Sequence, residues 1–455
     1  MNAHTPADGF SLAGAGRVRE LVTVALDAMA SSAAARTGPI PPGGPAATAA
    51  LAAELAEVLP EHGVGETAAL DELARVLTAG SVDPANPWCA AHLHGPTLAV
   101  AAAADLVGSV LNPSMDSWDQ APVASELERA VTAALARLCF PAAPAPDALI
   151  TSGGTESNLL GLLLARERGI TRVVCGRNAH HSVARAAWLL GLPAPLLVDT
   201  ERGRLRPDHL AEVLDGPAVV VATAGTTDTG AIDPLQEIAE IARRAGARLH
   251  VDAAYGGSVL FSDRLAAVLA GLELADSVAL DLHKFGWQPI AAGVLATREP
   301  VTALDTRAEY LNAADDTEAG LPDLLGRSLR TSRRPDCVKI AVTLRALGRA
   351  GIGALVDRCC ELARQVAREV EAHPGLRLWG EPTLSTLLIR PTEADDAQVA
   401  QIRRRLLEEG TAVLGRATVE GSVWLKLTLL HPKATIDDYR GLLDLVDSTA
   451  RRGLP

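Results

Sequence analysis

Lysine is rare in this chain: Lys284, Lys339, Lys426 and Lys433 are the four among 42 basic residues. Lys284 closes the run ADSVALDLHK at 275–284, directly behind an apolar stretch and preceded by His283. Behind such an apolar strand, burial would lower the pKa of the amine, and the neutral amine is the form that attacks a carbonyl to give an imine. A second apolar run, HVDAAYGG at 250–257, ends in Asp252, 32 residues before the lysine. That spacing is one strand–helix–strand unit, so both side chains would emerge at the same edge of a parallel sheet, where open α/β sheets bind ligands. A carboxylate buried there needs a partner, and a protonated ring nitrogen of a cofactor would serve. Taken singly, Asp252 reads more simply as a cap of the turn after its strand, and an exposed lysine at 284 would normally be a solvated surface group.

The run TSGGTESN at 151–158 lies between a strand-like and a helix-like segment. Gly153 and Gly154 permit close backbone approach. Thr155 adds a hydroxyl beside the free N–H groups of a helix start, which together make a cradle for an anion or phosphate. A glycine turn with Thr155 as helix cap fits the same residues. The run has neither the three spaced glycines of a dinucleotide-binding turn nor the Gly-Lys-Ser/Thr of a P-loop, so a small phosphorylated cofactor fits better than a nucleotide.

These residues need a scaffold. From about residue 123, helix-like and strand-like segments alternate, with strands expected at 148–152, 172–175, 195–198, 218–223, 248–252, 277–280 and 293–297. Helices are expected at 123–138, 156–168, 182–190, 206–214, 234–245 and 264–271. Such alternation predicts a mostly parallel, helix-covered sheet of the α/β class. Beyond residue 337 the pattern changes to a long helix reaching 372, strands near 385–389 and 423–429, and a helix at 395–409, which predicts a smaller α+β domain. Helices are also expected at 17–35, 48–59 and 66–78, around a Pro- and Gly-rich segment at 37–47. The division that follows is an N-terminal helical segment (1–95), a large domain (96–336) and a small C-terminal domain (337–455).

Composition sets outer limits. A net charge of −13 favours neither nucleic acid nor an anionic membrane as partner. The most apolar run, 97–111, contains Asp105 and is too short to span a bilayer. The N-terminus lacks the pattern of a secretion signal, and six cysteines without CxxC or other metal-ligand spacing predict no metal site and a reduced, cytoplasmic setting. Only thirteen aromatic residues occur, so the core must be built mainly of Ala, Leu and Val.

In combination, the motifs resemble the pyridoxal-phosphate-dependent (group II) amino-acid decarboxylases of the aspartate-aminotransferase fold, fold type I. The resemblance runs from about residue 85 to the end of the chain. It implies pyridoxal 5'-phosphate as cofactor, a seven-stranded mostly parallel sheet, Lys284 as the imine-forming lysine, and Asp252 as partner of the pyridine nitrogen. The run NAHHSVARA at 178–186 is similar to the family segment whose histidine stacks on the cofactor ring, which assigns that role to His180. Gly154, Thr155 and His283 would lie at the phosphate, and Thr226 in the loop ATAGTT at 222–227 would pass close to the cofactor. Tyr310, 26 residues past the lysine in the polar stretch 307–320, falls where the family carries a mobile loop whose tyrosine returns a proton to Cα after carbon dioxide leaves.

The segments NPSMDSWDQAP (112–122) and GRSLRTSRRPD (326–336) look more like diaminobutyrate and siderophore-type diamine decarboxylases than aromatic ones. His92, His94 and Asp116 stand where aromatic-specific relatives place rings, and a carboxylate there could receive a distal ammonium group. Asp116 could also merely cap a turn. The resemblance further implies a homodimer in which 112–122 and the loop around Ser332 reach the neighbour's cofactor. The expected reaction is decarboxylation of a small L-amino acid, preferably basic: 2,4-diaminobutyrate, ornithine or lysine. Alternatives are aromatic or aliphatic substrates, or a diverted reaction such as oxidative deamination, transamination or carbon–carbon cleavage.

Overall fold

A computed structural model describes residues 11–55, 57–306, 308 and 310–452. The large sheet is built from β1 (Asp147–Thr151), β2 (Val173–Gly176), β3 (Leu196–Val198), β6 (Val219–Thr223), β7 (Arg248–Ala253), β8 (Ser277–Asp281) and β9 (Gly293–Thr297), in the order β1-β9-β8-β7-β6-β2-β3. Between β3 and β6 lies a short hairpin of β4 (Thr200–Glu201) and β5 (Arg204–Leu205). Neighbours from β8 across to β3 run parallel, whereas β9 is antiparallel to both β8 and β1. The sequence gives this sheet its place in the core: β6 (VVVAT) and β8 (SVALD) are buried along their whole length, as strands covered by helices on both faces must be. The class is α/β of fold type I with a mostly parallel seven-stranded sheet.

Beyond the sheet, the helical run Cys337–Ala372 is broken at Gly348, whose φ of 64° is left-handed. It leads to a four-stranded antiparallel sheet ordered β10-β11-β13-β12, from β10 (Leu376–Leu378), β11 (Thr386–Pro391), β12 (Gly415–Val419) and β13 (Ser422–Thr428). Helices Asp396–Glu408 and Ile436–Arg451 cover it, around a hydrophobic cluster that includes Leu387, Ile402, Leu425 and Leu442. At the N-terminus, helices Ala15–Ala33 and Glu66–Gly80 pack on each other and are joined by the Arg17–Glu66 ion pair at 2.6 Å.

Local differences from the sequence expectation have local causes. The helix expected at 264–271 is only a 3-10 turn, Ala266–Leu269, stopped by Gly271 at φ 96°. That expected at 48–59 begins earlier, as Gly44–Ala53, because Pro45 at its first turn presets the helical φ. The apolar run 97–111 is a helix, Ala99–Leu111, packed on Cys337–Ala372, and among the described residues no helix is long and apolar enough to cross a membrane. β10, β12 and the terminal helix were not expected.

Three of the scarce aromatics form a cluster next to the lysine. Tyr255 stacks on Phe285 with ring centroids 5.4 Å apart, and Phe285 meets Trp287 edge-on at 5.8 Å. All three are buried, each contributing about 1.5–3 kcal/mol of apolar burial. The Tyr255 hydroxyl lies 2.9 Å from Ser385 Oγ, and Trp287 Nε1 donates to the Leu430 carbonyl at 2.8 Å. The cluster next to Lys284 is therefore bolted to the C-terminal sheet.

Candidate active site

The strand ends converge on one cavity of about 420 Å³, whose lining includes Gly154, Thr155, His180, Asp252, His283 and Lys284. That volume lies in the range of small-ligand sites, about 300–1,000 Å³. Each residue arrives from the C-terminal end of a strand. β1 turns through Ser152–Gly153 into helix Gly154–Arg166; β2 leads to His180; β6 ends in Thr223; β7 carries Asp252; β8 passes into the short helix Leu282–Phe285 with His283 and Lys284. β6 and β7 pair Thr223 with Asp252, which fixes the carboxylate beside the loop 224–230.

Lys284 Nζ lies 2.8 Å from Asp281 Oδ2. Asp281 is buried, and its other oxygen, Oδ1, has no hydrogen-bond partner among the described residues. His283 Nε2 is 3.6 Å from the same carboxylate, and burial chiefly holds the His283 pKa below the usual value. The turn at Gly153–Gly154 approaches this group closely: a Cβ on Gly154 would meet Ala254 Cβ at 2.8 Å and Asp281 Oδ2 at 3.2 Å. The first turn of helix Gly154–Arg166 thus opens into the cavity with free N–H groups, a site for an anion, and Thr155 stands exposed beside it.

Across the cavity, Asp252 Oδ2 accepts from Asn158 Nδ2 at 2.8 Å and Oδ1 from the Ala254 N–H at 3.1 Å. His180 Nδ1 lies 2.8 Å from Ser182 Oγ, and burial is the main cause of a lowered His180 pKa, opposed by nearby Asp252. His181 packs on it at 4.0 Å between ring centroids. Thr223 Oγ1 is buried and has no hydrogen-bond partner among the described residues. A cavity holding an amine, a carboxylate across from it, an open helix start and two unmatched buried oxygens suits a polar, anionic, ring-bearing ligand. Pyridoxal phosphate fits that description: Lys284 would hold its aldehyde, Asp252 its ring nitrogen, and Gly154 with Thr155 its phosphate.

Other expected site residues lie elsewhere. Thr226 is buried, its hydroxyl 2.8 Å from Thr229 Oγ1, while the next residue, Thr227, lines the cavity. His92 and His94 flank Leu93, the residue of that trio that lines the cavity. His92 is exposed with a left-handed φ of 61°. Asp116 is buried outside the lining, with Oδ1 accepting from Gln120 at 2.9 Å and Oδ2 from Ser332 Oγ at 3.3 Å. Two expected residues from distant segments therefore meet each other rather than Lys284. Their neighbour Arg333 is buried and donates two hydrogen bonds to the Glu128 carboxylate, at 2.5 and 2.7 Å, which pins the segment. Tyr310 is 81% exposed; at the base of its loop Asn312 donates to the Thr306 carbonyl and to Asp323.

Sequence reasoning did not single out Asn158, Ser182, His250, Asp281 or Thr227. Asp281 was within reach, since it stands three residues before the lysine and so one helical turn from it. The others are joined only by the fold.

The fold and this site define an enzyme that works through pyridoxal phosphate bound at a lysine. The chain belongs to the pyridoxal-dependent decarboxylase family: residues 50–389 match the Pyridoxal-dependent decarboxylase conserved domain, and the protein is a pyridoxal-phosphate-dependent amino-acid decarboxylase. It is 40% identical over 419 residues to an L-2,4-diaminobutyrate decarboxylase of Rhizobium meliloti (strain 1021), covering 86% of this chain and 84% of the relative. With the enzyme of that name from Acinetobacter baumannii it shares 34% over 436 residues, at 86% and 85% coverage. Among solved structures, the glutamate decarboxylase domain of diaminobutyrate-pyruvate transaminase and L-2,4-diaminobutyrate decarboxylase from Vibrio parahaemolyticus superposes with a TM-score of 0.84. That pair is 30% identical, over 97% of this chain and 96% of the other.

Proposed function

We propose that this decarboxylase acts on a small basic L-amino acid, 2,4-diaminobutyrate first, with ornithine and lysine as longer candidates. The observation that carries the substrate class is the buried Asp116 carboxylate, whose Oδ2 has one long bond, from Ser332, and so keeps room for an ammonium donor. The names of the relatives at 40% and 34% identity support the same choice. Because Asp116 and Ser332 stand outside the Lys284 cavity of their own chain, they serve the cavity of a second copy. The protein is then a homodimer with shared sites, and Leu26, Leu73, Leu77 and Leu111, all exposed, provide apolar surface for the contact. We place the enzyme in the cytoplasm and divide it into the segments 1–95, 96–336 and 337–455.

Bound pyridoxal phosphate supplies an electron sink for the charge left on Cα when the carboxylate departs. The protein's side chains do the rest. Asp281 holds the Lys284 ammonium at 2.8 Å whenever the amine is released, keeping it beside its point of attachment. Asp252 keeps a proton on the ring nitrogen, while Gly154, Thr155 and His283 hold the phosphate end and Thr226 shapes the adjoining loop. His180 covers the ring face and orients the bond to be broken. Tyr310 brings a proton to Cα once its loop lies over the cavity. The deciding experiment incubates the purified protein, loaded with pyridoxal phosphate, with a panel of L-amino acids while amine, carbon dioxide, keto acid and peroxide are followed. Amine and carbon dioxide in equal amounts from 2,4-diaminobutyrate are expected; an aromatic amino acid as best substrate, or keto acid or peroxide as main product, overturns the proposal.

A further inference from the structure

Behind the cavity runs a buried hydrogen-bond chain whose proton directions follow from its chemistry. The Asp252 carboxylate only accepts, so the Asn158 group facing its Oδ2 at 2.8 Å is the amide NH2. The second hydrogen of that NH2 goes to Ser182 Oγ, also at 2.8 Å. Asn158 Oδ1 must then face His250 Nε2, 2.9 Å away, and that nitrogen carries a proton. His250 is fully enclosed, and burial brings its pKa down to about 4, so at neutral pH the ring has a single proton. Its Nδ1 is consequently bare and accepts from Ser277 Oγ at 2.8 Å. Ser182, having accepted from Asn158, gives its one hydroxyl proton to His180 Nδ1 at 2.8 Å, and the Ser182 backbone N–H points at the same nitrogen at 3.3 Å.

We propose that Ser277, His250, Asn158 and Ser182 are positioning residues that hold His180 in the tautomer protonated on Nε2, so that His180 meets the bound ligand as a hydrogen-bond donor. The same Asn158 amide grips Asp252, so one buried group sets both walls of the ring site. The opposite direction along the chain would turn Asn158 Oδ1 onto the carboxylate, leaving two acceptors face to face in a dry interior. The fold makes room for the arrangement at Gly161, on the helix that carries Asn158: a Cβ there would lie 2.5 Å from His250 Nδ1.

The assignment of His180 and Asp252 to the ring rests on the function proposed above, but the tautomer does not, and it can be read in cofactor-free protein. In protein labelled with 15N-histidine, with the His180 signals identified by their loss in His180→Gln, the expected pattern is a bare Nδ1 and a protonated Nε2. His250→Leu removes the donor to Asn158 and is expected to mix the two His180 tautomers and to weaken pyridoxal phosphate binding about tenfold, the effect of one buried hydrogen bond of about 1.4 kcal/mol. His250→Gln, which restores an N–H at the Nε2 position, is expected to recover both. A proton on Nδ1 of His180 in the unsubstituted protein overturns the proposal, and that measurement decides even if His250→Leu does not fold. So does a folded His250→Leu protein with unchanged His180 signals. Failure to bind pyridoxal phosphate at all would instead sink the ring assignment and leave the tautomer result standing.

Discussion

Two regions of the molecule hold the residues expected to do chemistry, and they are built in opposite ways. Around Lys284, side chains rise from the ends of five strands of one sheet, and Asp252, Asn158, Ser182 and His180 are cross-bonded within one chain. In the second region, Asp116, Ser332 and Tyr310 sit on connecting segments: Asp116 and Ser332 hold each other at 3.3 Å, and Tyr310 faces solvent. Under the proposed function, electron withdrawal at a fixed ring needs groups that do not move, and the strand ends supply them. Under the same proposal, substrate choice and proton return follow entry of a new molecule each cycle and would fall to segments supplied from outside the cavity.

The sharpest way to break this comparison is to remove a member of each region and ask what is lost. Lys284→Ala is expected to abolish the visible absorbance of the loaded protein and to reduce amine formation by at least about 10³-fold, an effect beyond that of a single proton-transfer group at the low end of its range. Absorbance spectra and single-turnover assays check this. Tyr310→Phe, in the other region, is expected to slow amine formation by about 10²–10⁴-fold, the usual worth of a positioned acid, with cofactor affinity unchanged. If Tyr310→Phe weakens cofactor binding or removes the absorbance that Lys284→Ala removes, the two regions are not separate in function.

The same contrast explains what the sequence could reveal. Lys284, Asp252 and the glycine turn were legible because each follows an apolar strand, and strand ends of a parallel sheet share an edge by geometry. Asn158 and His250 were not, since 92 positions separate them and an Asn inside a helix looks like any other polar residue. The loop at 222–227 was legible as a unit, yet the residue lining the cavity is Thr227, and the Thr226 hydroxyl turns to Thr229. A one-residue choice in a loop depends on backbone torsions that periodicity does not encode. β12 (GRATV) and the terminal helix escaped notice for a related reason: the first is short with an exposed arginine, and the second carries Gly441 in its interior.

Asp116 tests whether the outer region belongs to a partner's site. Asp116→Asn removes one charge-assisted bond and is expected to raise KM for 2,4-diaminobutyrate about 10–100-fold, from about 1.5–3 kcal/mol. It should hardly alter KM for a neutral amino acid of equal length. Mixed dimers of one Lys284→Ala chain and one Asp116→Asn chain sharpen the point. With shared sites, the only lysine-bearing cavity receives an intact Asp116 from its partner, and KM returns to the unsubstituted value. If each chain serves itself, KM stays raised.

The smallest effect concerns the buried chain alone. His250 has a pKa near 4 in the folded protein because burial disfavours its charged form, against about 6.5 when unfolded. Between these values the unfolded chain binds a proton that the folded chain does not, so acid favours unfolding: the His250 contribution is negligible above pH 7 and becomes more destabilising as pH falls through 6.5 toward 4. From pH 7 to 5.5 the loss is about 1 kcal/mol, which for a chain of this length lowers Tm by only about 1 °C. Comparing the Tm-against-pH curve with that of His250→Gln isolates it, because glutamine does not titrate while the other histidines are common to both. Curves that run parallel from pH 7 to 5.5 would mean that His250 is protonated in the folded state. Nδ1 could then no longer accept from Ser277, and the buried chain would not be the rigid neutral counterpart to the outer region.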